Sequence, residues 1–272
     1  MAITDSGRVP VTNELIEQVM AVAERQEELP PEEPVITPPP DTVFDLPGGY
    51  ISVAGEVSME AEVRELTGRD EEVISKATTP QKALNTVLAR GLIRLGDRGV
   101  LDDTTLNSLL AGDRDYILLR IYAATFGNEV QTVRFCESCK TESEVTLDLL
   151  SDVPVKTLAD PFARRFTVEC AVGEVTVDLP TGYTQKEIAA NGDKTIAELS
   201  TILLESTVVQ VNGRPVIGKS TVLDLSIRDR RKISDALVER TTGPQFQDAK
   251  AECPSCGAEL EVPLSLAALF QF

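Results

Sequence analysis

The sequence predicts an α+β protein made of two tandem, degenerate repeats that meet at one four-cysteine centre. An N-terminal helix and a proline-rich arm precede them. Three observations predict this. Two Cys-x-x-Cys pairs, Cys136/Cys139 and Cys253/Cys256, stand 117 positions apart. Short runs recur at nearly the same displacement. The apolar spacing also alternates along the chain between period two and period 3.6, the signatures of strand and helix.

The recurrences keep their order. Thr67-Gly68 matches Thr181-Gly182, 114 positions on, and Leu84–Leu88 matches Leu199–Leu203 at 115. Arg98 matches Arg214, Asp113-Arg114 matches Asp229-Arg230, and Gly127 matches Gly243, all at 116. The slow drift fits small insertions in turns of a duplicated unit. Two such units related by a pseudo-twofold would bring their cysteine pairs together. The expected organisation is an arm over 1–41, a first unit over 42–150, a connector over 151–164 and a second unit over 165–272.

In chain order, Leu15, Ile16, Val19, Met20 and Ala23 fall on one face of an expected helix over 13–28, opposite an acidic face. Thr12 or Asn13 can cap it. Residues 29–40 carry six prolines and favour extended polyproline II. Such a helix can pack back on its own domain or dock a neighbouring subunit.

Phe44–Tyr50 reads as a turn, and 50–66 as a hairpin around Ala54-Gly55. Thr67-Gly68 leads into a short helix with acids in its first turn. Thr79-Pro80 opens the next helix, whose inner face is Leu84, Val87, Leu88 and Leu92. A small hairpin around Gly96-Asp97 follows, and its counterpart carries Asn212-Gly213, a two-residue turn. Asp113 and Asp229 are expected to cap the last helix of each unit. Ile117, Leu118, Ile121 and Ala124 line the first of these, which Gly127 stops; Ile233, Ala236 and Leu237 line the second. Residues 165–179 alternate again and include Cys170, read as a buried strand residue. The apolar stretch 264–272 either packs on the body or forms a contact surface.

Each Cys-x-x-Cys has the spacing of half a tetrahedral thiolate site, and each runs through a polar turn into alternating Val145, Leu147, Leu149 or Val262, Leu264, Leu266. The expectation is one structural Zn²⁺ per chain, held by Cys136, Cys139, Cys253 and Cys256. Two disulfides or four inert thiols are the alternatives, although a disulfide within Cys-x-x-Cys closes too small a loop to stabilise much.

Composition narrows the function. The chain has 272 residues, 42% of them hydrophobic, enough for a real core. Trp is absent, so that core is mainly aliphatic. The net charge of −18 argues against nucleic acid, which needs clustered Lys and Arg. Ten acidic and two basic residues in 1–45 concentrate the charge at one end. With no His there is no His-based acid–base chemistry and no His metal ligand. A catalytic zinc would keep an open position, whereas four thiolates fill the shell, so no catalytic or other cofactor-binding residue is expected. No signal peptide and no membrane-spanning run stand out, which points to synthesis in a reducing cytoplasm and to no membrane partner.

Several segments together resemble a known family. These are Leu46-Pro47-Gly48-Gly49-Tyr50, the stretch 63–72 (Val-Arg-Glu-Leu-Thr-Gly-Arg-Asp-Glu-Glu), the stretch 112–121 (Gly-Asp-Arg-Asp-Tyr-Ile-Leu-Leu-Arg-Ile), then Phe126-Gly127 and the first Cys-x-x-Cys. The chain resembles the baseplate hub and hub-assembly proteins of contractile-tailed, T-even-like bacteriophages over 43–149, and more weakly through the second pair. The resemblance implies a virion or tail-assembly role without catalysis, with other baseplate and tail proteins as partners and several copies in a symmetric assembly. The arm and apolar C-terminus would dock neighbours. A zinc-ribbon interaction module in transcription or translation, and an assembly chaperone absent from the mature particle, are the alternatives.

Overall fold

A computed structural model describes residues 42–99 and 101–271. The helix expected over 13–28 and the proline-rich run lie outside the described residues.

The chain opens with β1 (Val43–Ile51) and β2 (Val57–Val63), an antiparallel pair. The pairing is interrupted between Asp45 and Tyr50, so Leu46–Gly49 bulges out of β1. The stretch read as a turn is therefore a bulged strand, with Gly49 at φ 73°. Helix α1 (Gly68–Ile74) follows, with Thr67 and Asp70 forming a reciprocal capping box. Helix α2 (Pro80–Gly91) starts at the Thr79 cap, whose hydroxyl accepts from the Lys82 N–H, with Pro at the first position. β3 (Leu92–Leu95) completes a three-stranded sheet in the order β1-β2-β3.

The short α3 (Asp103–Ser108) leads to α4 (Ala111–Phe126). Ile117, Leu118, Leu119 and Ile121 are all buried, so this helix is enclosed on more sides than a single stripe implies. Gly127 ends it at φ 90°. The chain then forms a two-stranded ribbon, β4 (Glu129–Phe135) with β5 (Glu142–Asp148). The expected connector contains a short strand, β6 (Val155–Lys156).

A second series of elements follows. β7 (Arg165–Cys170) and β8 (Gly173–Asp178) pair antiparallel. Helices α5 (Gly182–Ala190) and α6 (Ile196–Thr207) follow, then β9 (Val208–Val211) and β10 (Arg214–Pro215). Asn212 and Gly213 turn that hairpin at φ 52° and 73°. Next come α7 (Lys219–Leu223) and α8 (Ile227–Arg240), then β11 (Gly243–Pro244), which pairs with β6. A second ribbon, β12 (Lys250–Glu252) with β13 (Glu259–Glu261), and α9 (Leu266–Leu269) end the described chain. α2 and α6, and likewise β3 and β9, begin 116 positions apart.

The apolar side chains gather in two clusters. One is built from β1–β5 and α1–α4, together with Ala249, Ala251, Leu260, Val262, Leu266 and Leu269. The other holds Phe166, Val168, Val175, Val177, Leu204, Ile233 and Leu237, with Leu110 reaching in from the first half. The second ribbon and α9 thus lie late in sequence but pack in the first core. Of the two places open to the apolar C-terminal stretch, the body takes it. Phe270 meets Tyr122 edge-on at 5.4 Å.

Asp113 and Asp229 do not cap their helices. The caps are Leu110 and Ser226, and both aspartates sit three positions inside. Each instead reaches back to the opening hairpin of its own half. Asp113 Oδ1 accepts from the Gly48 N–H (2.7 Å) in the β1 bulge. Asp229 accepts from the Ala171 (2.8 Å) and Val172 (3.3 Å) N–H groups in the β7–β8 turn.

Candidate metal centre

The centre is assembled where the two ribbons turn. β4 and β5 stay in register up to the Phe135–Glu142 pair, and β12 and β13 up to Glu252–Glu259. Each pair is closed by six residues, Cys-Glu-Ser-Cys-Lys-Thr (136–141) or Cys-Pro-Ser-Cys-Gly-Ala (253–258). The two turns make the same bonds. Cys136 N–H donates to Thr141 O (2.9 Å) and Lys140 N–H to Cys136 O (2.8 Å). Cys253 N–H donates to Ala258 O (2.8 Å) and Gly257 N–H to Cys253 O (2.8 Å). The fifth residue of each turn is left-handed, Lys140 at φ 59° and Gly257 at φ 72°. This backbone aims both cysteines of a turn to one side.

The four sulfurs lie within 4.8 Å of one another. Cys136 Sγ is 3.7 Å from Cys256 Sγ, and Cys139 Sγ is 3.8 Å from Cys253 Sγ. These close pairs run between turns, so the centre ties residues more than a hundred positions apart. A disulfide needs about 2.05 Å. By contrast, four sulfurs each about 2.3 Å from one tetrahedral ion have edges of about 3.8 Å. Cys136 and Cys253 are buried and Cys256 is exposed, so the cluster sits at the edge of the core. The four cysteines could hold a metal ion.

The electrostatics say why a cation suits them. The Thr141 hydroxyl, 2.9 Å away, leads in stabilising the Cys139 thiolate and pulls that thiol down to about 6. Backbone N–H groups, first that of Ser255, also lower Cys253. At Cys256 the Ala258 N–H favours the thiolate, but removal from water and the other three sulfurs outweigh it and push the thiol up to about 12. Four negative sulfurs this close repel unless positive charge stands between them. A divalent ion supplies that charge, and no protein position remains open for a substrate once four thiolates surround it.

The sequence reading named all four of these residues, and the structure brings all four together. It places Cys170 away from them, half-buried at the end of β7 against the second core. The reading missed Thr141 as a partner of the site and the Ser143–Ser255 hydroxyl contact across the ribbons (3.3 Å). Spacing alone carries no signal for either.

A protein-family model described as T4 bacteriophage base plate protein matches residues 45–211, from β1 to the end of β9. Comparison with curated proteins and with solved structures finds no match. The matched span is more than half of the chain and holds the sheet, the central helix and the first cysteine turn. The protein belongs to this family of T4-like phage baseplate proteins. That makes it a structural component of a virion tail that contacts other tail proteins.

Proposed function

We propose that the protein is a non-enzymatic structural or assembly part of a contractile-tail baseplate, stapled by one zinc ion bound through Cys136, Cys139, Cys253 and Cys256. The observation that carries this is the sulfur cluster in a member of a baseplate family. Two ribbons more than a hundred positions apart in sequence meet with sulfur separations of 3.7 and 3.8 Å, the edge length of a zinc tetrahedron. All-sulfur coordination favours zinc over magnesium or calcium, which take oxygen.

The units over 42–150 and 165–272, joined by 151–164, are read as a degenerate duplication. Matching polar contacts support it. Arg114 donates from Nη1 to Leu106 O and from Nη2 to Asn85 Oδ1 (2.6 Å). Arg230 donates from Nη1 to Val222 O (3.2 Å) and from Nη2 to Thr201 Oγ1 (2.7 Å). Every one of these partners is displaced by 116 positions. The arm over 1–41 is the segment assigned to docking neighbouring tail proteins.

Purified protein should carry about one zinc per chain by elemental analysis. Cys136→Ser should lose the metal together with cooperative unfolding. Two metals per chain would break the shared-site reading, and none in reduced protein would break the zinc reading. Mass spectrometry of purified particles tests the role. A low, symmetry-related copy number marks a baseplate part; absence from particles marks an assembly chaperone.

A further inference from the structure

We propose that copies of this chain associate head to tail, with the α1 end of one copy on the α7–α8 face of the next. The two halves of a single chain already make such a contact. The start of α5 sits on the start of α4: Ala111 N–H donates to Pro180 O (2.9 Å), and Gly182 N–H to Leu109 O (3.0 Å). Arg114 stacks over Gly182, where a Cβ would come within 2.8 Å of its guanidinium. Gln185 completes the contact. Its Oε1 accepts from Arg114 Nε (2.9 Å), and its Nε2 donates to Asp115 (3.0 Å).

Each half carries both surfaces, so one of each is left over. The start of α1, with the same Thr-Gly pair, is exposed, and among the described residues nothing lies within 4 Å of where a Gly68 Cβ would be. The start of α8 is also bare. Ile227 is 73% exposed, whereas its counterpart Ala111 is 8% exposed. Leu223 and Ile196, flanking Arg230 on α7 and α6, are 55% and 87% exposed. Arg230 has no bond from its Nε among the described residues, the atom that Arg114 gives to Gln185.

The charges at the spare surfaces fit each other. Gln185, one acceptor and one donor, faces Arg114 and Asp115. Its counterpart on the bare α1 is Glu71, two acceptors; the counterparts of Arg114 and Asp115 are Arg230 and Arg231, both donors. The next pair is reversed as well. Lys186 lines a small cavity with Asp103, and their counterparts are Glu72 and Lys219. In a strongly acidic chain, a basic cluster of Lys219, Arg230 and Arg231 opposite Glu71 and Glu72 is a specific complement. An interface of two different surfaces closes into a ring or runs as a filament.

Sedimentation velocity on the full chain at about 100 μM, where a micromolar complex is populated, tests this. The wild type should associate, less so at high salt. E71R and R231E, both at exposed positions, should each weaken association at least about tenfold while keeping the wild-type melting curve. Mixed together they should associate again, because one supplies an intact α1 and the other an intact α8. I227R serves as a second, charge-independent disruption. A wild type that stays monomeric, variants that associate as it does, or a mixture that stays dispersed would each overturn the proposal.

Discussion

Asp113 and Asp229 hold matching places in their halves yet titrate in opposite directions. Two backbone N–H groups and the Ser226 cap keep Asp229 below the usual carboxylate range, with the Ala171 N–H the largest influence. Asp113 is fully buried, has one N–H partner, and its Oδ2 has none among the described residues. Burial pushes it up to about 7, against the Gly48 bond and the charge of Arg164. The sign follows. Between about 4 and 7 the folded protein holds a proton at Asp113 that the unfolded chain has released. Stability therefore falls as pH rises through that window. Asp113→Asn keeps an oxygen for Gly48 and cannot ionise. Denaturation at about pH 5 and about pH 8 should show a smaller loss in the variant than in the wild type. Some slope should remain, because burial also lifts Asp115, to about 6. A second residue-scale prediction concerns Gly112, where a Cβ would lie 1.7 Å from Thr242 O. Gly112→Ala should cost about 3 kcal/mol or more in chemical denaturation, since backbone rather than a movable side chain is in the way.

Among the elements, the cysteine turns were the most legible. Two-residue spacing and the alternation into β5 are local properties, and sequence reports local properties well. Val262, Leu264 and Leu266, expected to alternate along the second ribbon strand, instead follow β13, and Leu266 opens α9. The Thr79 cap, the Asn212-Gly213 hairpin and the Gly127 stop were legible for the same reason. What failed depended on distance. An Asp before a helix looks the same whether it caps the helix or reaches Gly48, 65 positions away. The β1 bulge looks like a turn because Pro47-Gly48-Gly49 suits both. Lys140 occupies the left-handed position that glycine fills in the other turn. Lys140→Gly should leave metal content unchanged and should not lower stability by more than a few tenths of a kcal/mol, because relief of the left-handed backbone offsets the gain in unfolded-chain entropy. A clear loss of metal on this change would mean the Lys140 side chain itself supports the site.

For the whole molecule, the two cores are not consecutive in the chain. β12, β13 and α9 leave the second half and pack in the first core. No local pattern announces that exchange, since Val262 or Leu266 would read equally well as core of either half. Truncation after Asp248 removes Ala249, Ala251, Leu260, Val262, Leu266 and Leu269 from that core, as well as two of the four sulfurs. The first half should then unfold non-cooperatively by circular dichroism, losing well over 5 kcal/mol at 1.5–3 kcal/mol for each fully buried large side chain as a rough guide. Among the described residues no helix is long and apolar enough to cross a membrane.

The wide separation of the two cysteine turns also orders events during synthesis. The nascent chain delivers β1 to β5 first, but their core stays incomplete until the second ribbon arrives. The second half, contiguous from β7 to α8, can fold while the first still waits. Closing a loop of more than a hundred residues is entropically slow to reward. The four sulfurs therefore come together late, and a chain interrupted anywhere before Cys253 leaves half of the cluster and an open apolar core for proteases to find.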